Sequence, residues 1–282
     1  MSLPVARTVT DLRAIVAGWR IAGERVALAP TMGFLHEGHI SLVKLGKTKA
    51  ERVVASIFVN PTQFAPAEDF ETYPRDEARD SALLAAGGCD LLFAPTLPEM
   101  YPTGFSTTVS VAGVSAPMDG VARPIHFAGV ATVVAKLLIQ CGPDIAIFGE
   151  KDYQQLLVIK RMARDLDLPV EILGGPTVRE PDGLALSSRN VYLTPAERAV
   201  APRLNAALRD AADAVRAGGP VNDAESAGLA ALEAAGFGPI DYFEVRHAET
   251  LERLGPGRID APARVFVAAR LGKARLIDNW AI

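Results

Sequence analysis

The chain has 282 residues, 49% of them hydrophobic and 22% charged, with a net charge of -4 at pH 7. That composition supplies a core for one large or two modest domains. It excludes a membrane span, because charge or glycine breaks every apolar run well before about 20 residues, and the lack of a long basic block or basic–aromatic interleaving argues against a nucleic-acid partner. No basic region followed by a secretory apolar stretch opens the sequence, so cytoplasm is the expected compartment. Cys89 and Cys141 lie in apolar surroundings without metal-ligand or redox-pair spacing, and are expected to be buried reduced thiols.

Up to about residue 175, strand-like apolar runs alternate with amphipathic helical stretches, which predicts a Rossmann-like α/β domain with a parallel sheet. Strands are expected at Val26–Ala29, Val53–Val59, Asp90–Ala94, Asp144–Phe148 and Val170–Leu173, with helices from Leu12, His39, Asp76, Ala131 and Tyr153. Right-handed crossovers gather the strand ends at one edge, where ligands of such sheets bind. Three loops belong there, 30–39, 60–64 and 149–152, and are expected to converge on one site. Gly174-Gly175-Pro176 reads as a hinge that divides residues 1–175 from a smaller α+β domain at 176–282. In that second part Thr194, Pro195 and Glu197 form a capping box with proline at the first helical position. A long helix should follow, then another over about Asp223–Ala235, with strands at Tyr242–Arg246 and Arg264–Ala269.

The stretch Pro30-Thr31-Met32-Gly33-Phe34-Leu35-His36-Glu37-Gly38-His39 joins a strand end, two glycines and two of the four histidines at a helix start. Unpaired N–H groups and the helix dipole favour an anion there, and histidines add movable donors. A turn whose histidines only cap and pack is the competing reading. Zinc fits poorly: the zinc-protease helix sets two histidines four apart around a glutamate base, whereas His36 and His39 are three apart with Gly38 between them.

A second group opens at Gly149-Glu150-Lys151-Asp152, after the strand ending at Phe148. Lys151 suits a phosphate and Asp152 ribose hydroxyls, or Asp152 is a helix cap and Lys151 a surface charge. Gln155, one turn inside the helix, and Gln63, in a turn after a strand, suit hydroxyl and carboxylate groups. The third group runs from Val178 through the Pro181-Asp182-Gly183 turn to Ser187, Ser188 and Arg189, which can surround phosphate oxygens. It reads either as a flap over a nucleotide or as a strand end with a helix cap. Arg123–Phe127 reads as irregular chain before the helix at Ala131, with His126 binding substrate or ordering the loop, and His247 reads as surface or structural. No Gly-x-Gly-x-x-Gly follows an early strand, against a dinucleotide dehydrogenase.

Together with Ser56-Ile57-Phe58-Val59-Asn60-Pro61, Tyr73-Pro74-Arg75, Phe148–Gln155, Asp182–Asn190 and Ala268–Asn279, these segments resemble the pantothenate synthetase (pantoate–β-alanine ligase) family of the nucleotidyltransferase superfamily with the His-x-Gly-His signature. The resemblance implies ATP-dependent condensation of (R)-pantoate with β-alanine to pantothenate, AMP and pyrophosphate, with Mg²⁺ accompanying ATP, and a homodimer. It further implies that Met32, Gly33, Phe34, Leu35, His36, Glu37, Gly38 and His39 contact ATP, with His39 the proton donor. Gly149, Glu150, Lys151, Asp152, Val178, Leu186, Ser187, Ser188 and Arg189 would complete the nucleotide site, while Gln63 and Gln155 would hold pantoate and Gln63 also β-alanine. Tyr73, Arg123 and His126 would be neighbours, and the smaller domain a lid. Phe34 departs from the small or polar residue usual in the family, and Ile125 from a usual glycine. Two other readings are a superfamily member acting on a different small acid or phosphate, and a nucleotide-binding regulator without turnover; His39, Lys151 and Arg189 in one chain favour chemistry.

Overall fold

The computed structural model describes residues 3–65 and 70–282. The chain packs as two units: the larger runs to Ser115 and adds Asp119–Glu150 and Gln155–Pro176, and the smaller comprises Ala116–Met118, Lys151–Gln154 and Thr177–Ile282.

In chain order the larger unit carries β1 (Val5–Ala6), α1 (Val9–Ile21), β2 (Val26–Thr31), α2 (Glu37–Lys47), β3 (Arg52–Ile57), a 3₁₀ turn (Pro61–Gln63), α3 (Glu77–Ala86), β4 (Leu91–Phe93), α4 (Leu97–Met100), α5 (Asp119–Ala122), α6 (His126–Cys141) and β5 (Ile145–Gly149). A 3₁₀ turn (Glu150–Asp152) then leads into α7 (Tyr153–Asp165) and β6 (Glu171–Gly175). Among the described residues these strands form one parallel sheet of order β1-β4-β3-β2-β5-β6. The middle strands are short runs such as Val26–Ala29 and Ile145–Phe148, buried throughout, as a parallel sheet covered on both faces requires. Strand order runs outward from β2 through β3 and β4, then returns to place β5 on the other side of β2. That reversal opens a crevice beyond the carboxyl ends of β2 and β5, where doubly wound sheets bind ligands.

Several boundaries differ from expectation for local reasons. Gly174 and Gly175 complete β6 instead of forming a hinge, pairing with Phe148 and Gly149. A Cβ on Gly175 would sit 2.2 Å from Leu42 Cδ2, so glycine lets α2 approach the strand. Helix α6 starts at His126, five residues before Ala131, and takes in His126 and Phe127 of the stretch read as irregular, while residues 123–125 remain a bend and turn. Its early glycine lowered the apparent helical propensity, but Phe127, Val130 and Ala131 bury the same face.

The smaller unit carries α8 (Pro195–Val200), α9 (Arg203–Arg216), α10 (Val221–Ala234) and the antiparallel strands β7 (Ile240–His247), β8 (Ala263–Leu271) and β9 (Ala274–Ala281), in the order β7-β8-β9. Thr194 and Glu197 form the expected capping box. The single long helix expected after it is broken at Ala201-Pro202, since proline offers no N–H to continue the ladder. Leu204, Leu208, Ala211 and Val215 of α9 bury against Phe243, Val245, Val265 and Val267 of the sheet. Among the described residues no helix is long and apolar enough to cross a membrane. Cys89 and Cys141 are buried and unbridged, and burial pushes their thiols up to about 11 and about 12, so neither is a thiolate nucleophile at neutral pH.

Candidate active site

The histidine turn leaves β2 at its carboxyl end, where Thr31 Oγ1 donates to Ser56 O at 2.7 Å and ties β2 to β3. Phe34 sits at φ +51°, a region few non-glycine residues adopt. The Asp80 carboxylate on α3 holds it there, accepting from Phe34 N at 2.6 Å and from Leu35 N at 2.8 Å. Asp80 is 1% exposed, and burial raises its carboxyl above the ordinary value against the pull of these two backbone donors. The Arg79 guanidinium lies 5.2 Å from the Phe34 ring centroid. Phe34 therefore forms part of a carboxylate-clamped turn with a cation over its ring.

Immediately after this clamp, His36 is the extended N-cap of α2, and its Nδ1 accepts from Gly38 N at 3.2 Å. His39 Nδ1 accepts in turn from His36 N at 3.3 Å, and the ring centroids are 4.1 Å apart. Because both Nδ1 atoms accept backbone N–H bonds, the neutral rings carry their protons on Nε2. Capping and donation, the two competing readings, are thus compatible in the same rings: Nδ1 closes the helix end and Nε2–H is a donor. Glu37 pairs with Lys44 at 2.5 Å, and among the described residues no three His, Cys, Asp or Glu side chains gather in a metal-binding group.

After β3, Asn60 organises the turn that carries Gln63. The Asn60 Oδ1 atom accepts from Tyr101 OH at 2.8 Å and Thr62 Oγ1 at 3.0 Å, while its amide donates to Gln63 Oε1 and Gly129 O, both at 3.1 Å. Gln63 is buried and its Nε2 donates to Met32 Sδ at 3.1 Å, a weak acceptor. His126 Nδ1 lies 3.0 Å from Gln63 O and Arg123 Nη2 donates to the same oxygen at 3.4 Å. Both basic residues thus meet the backbone of the Gln63 turn. Ile125 lies at φ -94°, ψ -12°, ordinary helical backbone that does not need glycine. Tyr73 is buried edge-on to Phe64, and Gln155 is half-buried in the first turn of α7.

The smaller unit holds the remaining segments. Leu186 N donates to Val178 O at 3.0 Å and Arg179 bridges to Ala185, so a hairpin turning at Gly183 sets Val178 beside Leu186. Ser187 Oγ accepts from Arg189 N at 3.3 Å and starts a 3₁₀ turn, Ser188–Tyr192. Lys151, which is half-buried, and Ser187 line one small cleft together with Ala185, Asn190 and Asp278. His247 Nδ1 accepts from Glu249 N and Thr250 N, a structural role in a turn. Asp80, which holds the histidine turn, did not stand out in the sequence, where it looked like an ordinary acidic residue in a helix's first turn.

The chain matches the family model described as pantoate-beta-alanine ligase over residues 4–281. It is 62% identical over 279 residues to a pantothenate synthetase of Caulobacter vibrioides, covering 99% of this chain and 98% of the relative, and 57% identical over 278 residues to that of Rhodospirillum rubrum, covering 99% and 98%. The crystal structure of pantothenate synthetase from Thermus thermophilus aligns with TM-score 0.93 at 52% identity, covering 99% of each chain. A pantoate-beta-alanine ligase from Francisella tularensis, complexed with beta-gamma ATP and beta-alanine, aligns with TM-score 0.82 at 33% identity, covering 99% of this chain and 98% of that one. With the family model matched along nearly all of its length, this chain belongs to the pantoate–β-alanine ligase family.

Proposed function

We propose that the chain condenses (R)-pantoate with β-alanine, using ATP, to give pantothenate, AMP and pyrophosphate through a pantoyl adenylate. The observation that carries this reading is the His36–His39 cap on α2, two Nε2–H donors at a helix N-terminus beside the sheet's switch point. A family relative complexed with beta-gamma ATP and beta-alanine supports it. In this reading the turn 32–39, Gly149–Asp152, Val178 and Leu186–Arg189 contact ATP. Gln63 and Gln155 hold pantoate, and Gln63 also meets β-alanine. Mg²⁺ would accompany ATP as a counter-charge to its phosphates, as is usual for this small hard cation. The active species is a homodimer in the cytoplasm with small-molecule partners only.

In the first step a pantoate carboxylate oxygen attacks the α-phosphorus, and the bond to the bridging oxygen of pyrophosphate breaks. Negative charge moves onto the departing phosphates, so donors placed in advance lower the barrier. His36 and His39 donate from Nε2 while their Nδ1 atoms hold the rings against α2, and His39 supplies the proton to the leaving group. Lys151, Ser187, Ser188 and Arg189 contribute further charge and donors. In the second step the β-alanine amine attacks the acyl carbon, the amide forms, AMP leaves with the bond electrons, and the amine loses its proton. No protein nucleophile is required. Positioning and exclusion of water matter because hydrolysis would destroy the acyl adenylate.

Incubation with MgATP and pantoate should release pyrophosphate, with AMP and pantothenate appearing on adding β-alanine. Pantoate-independent hydrolysis, or nucleotide binding without pyrophosphate release, would reject the reading. His39→Ala should slow pyrophosphate release by about 10²–10³-fold with the fold retained; an unchanged rate would remove His39 from the mechanism.

A further inference from the structure

Lys151 lies in a 3₁₀ turn of three residues between β5 and α7, too short to fix its own backbone through repeated hydrogen bonds. Its contacts in the smaller unit do so instead. Asn279 on β9 is 3% exposed, and its amide donates to Lys151 O at 2.9 Å. Its Oδ1 accepts from an Arg264 guanidinium N–H, and that guanidinium lies 3.9 Å from the Tyr153 ring centroid. The Tyr153 ring also packs on Phe266, which pairs with Asn279 across β8 and β9. One sheet face thus holds residues 151–153 through an amide, a guanidinium and the Phe266 ring.

The neighbouring residue acts in the other direction. Asp278 receives Arg179 in a two-pronged ion pair at 2.6 and 2.9 Å and also accepts from Asn279 N at 2.8 Å. Successive strand residues point to opposite faces. Two adjacent β9 residues therefore tie down, from opposite faces, the backbone of Lys151 and the hairpin that leads to Ser187.

We propose that Asn279 is a positioning residue for Lys151: its amide fixes the Lys151 carbonyl and so aims an otherwise flexible ammonium at the phosphates of ATP. This rests on the reading of Lys151 as a phosphate ligand. The long lysine stem loses entropy only if its root is fixed beforehand, and a displacement of about 1 Å at such a group can cost on the order of 10²-fold in rate.

The test is a double-mutant cycle on pantoate-dependent pyrophosphate release. Asn279→Asp is nearly isosteric and keeps an acceptor for Arg264, but sets a carboxylate oxygen against the Lys151 carbonyl. It should raise the KM for ATP and lower kcat by about tenfold to a hundredfold, with the melting temperature within a few degrees of wild type. On a Lys151→Ala background the same change should cost less than about threefold, since coupled residues are not additive. Lys151→Ala at the wild-type rate would sink the phosphate reading and this inference with it. An impaired Lys151→Ala combined with a harmless Asn279→Asp, or with losses that multiply fully in the double variant, would overturn the inference alone. If Asn279→Asp does not fold, Asn279→Ala enters the same cycle with the same decisive outcomes.

Discussion

Phe34 and Asp80 show how one residue's strain is held by another's charge. A left-handed backbone costs a residue with a Cβ roughly 1–2 kcal/mol, and hydrogen bonds to a charged group contribute about 1.5–3 kcal/mol each. The two Asp80 bonds therefore offset the strain at Phe34 and part of the cost of burying the carboxylate. In Asp80→Asn the amide oxygen serves one N–H and the amide NH₂ faces the other. We expect a stability loss of about 1–3 kcal/mol by urea denaturation and a raised KM for ATP, because His36 follows the clamp directly. Wild-type values for both would show that the turn holds itself. The pH dependence has a definite sign. Asp80 has a raised folded pKa, so between that value and the ordinary 3.8 the folded chain binds the extra proton. The wild-type advantage over Asp80→Asn should therefore widen as pH falls through this window, and a narrowing difference would contradict the burial argument. This clamp also marks the limit of what the sequence made legible. His36, His39, Lys151 and Ser187 stood out because donors beside glycine turns have few structural uses. Asp80 and Asn279 did not, because each serves backbone atoms brought from far along the chain, Leu35 being 45 residues from Asp80 and Lys151 128 from Asn279.

At the scale of elements, α6 and the Gln63 turn meet at Gly129. A Cβ there would lie 2.3 Å from Thr62 O and 2.7 Å from Gln63 Cα, contacts that only a backbone shift relieves. Gly129→Ala gains about 1 kcal/mol of helix propensity, yet overpacking of this kind costs typically 1–3 kcal/mol, so destabilisation should win. The displaced turn carries Gln63, so the KM for pantoate should rise several-fold more than the KM for ATP. An equal rise in both, or none, would mean that α6 does not set Gln63. The same helix shows why element types were easier to read than their limits. Its buried face was periodic enough to predict a helix, but Gly129 hid the first turn, and Pro202 split a helix that alanine and leucine made look continuous. Strand β9 was missed because its charged residues suggested surface. Asp278 is buried in an ion pair with Arg179, and no local pattern reveals that partner.

At the scale of the whole molecule, Gly174-Gly175-Pro176 suggested cutting the chain once. Residues 116–118 and 151–154 nevertheless pack with the smaller unit, segments too short to alter any compositional average. Gln154 donates to Pro117 O at 2.7 Å, Tyr153 covers Phe266 beneath the Arg264 guanidinium, and Lys151 O satisfies Asn279. A fragment limited to residues 177–282 loses all of these. Uncovering an aromatic face costs about 1.5–3 kcal/mol and losing the Asn279 to Lys151 hydrogen bond about 0.5–1.5 kcal/mol, against a total of about 5–15 kcal/mol for a typical domain. The fragment should therefore bind a hydrophobic dye, show weak near-ultraviolet circular dichroism and melt well below the intact chain. A fragment that melts as sharply as the intact chain and at the same temperature would show that residues 151–154 contribute nothing to the smaller unit. It would also weaken the case that β9 holds Lys151, because a sheet that does not depend on that segment has little purchase on its position.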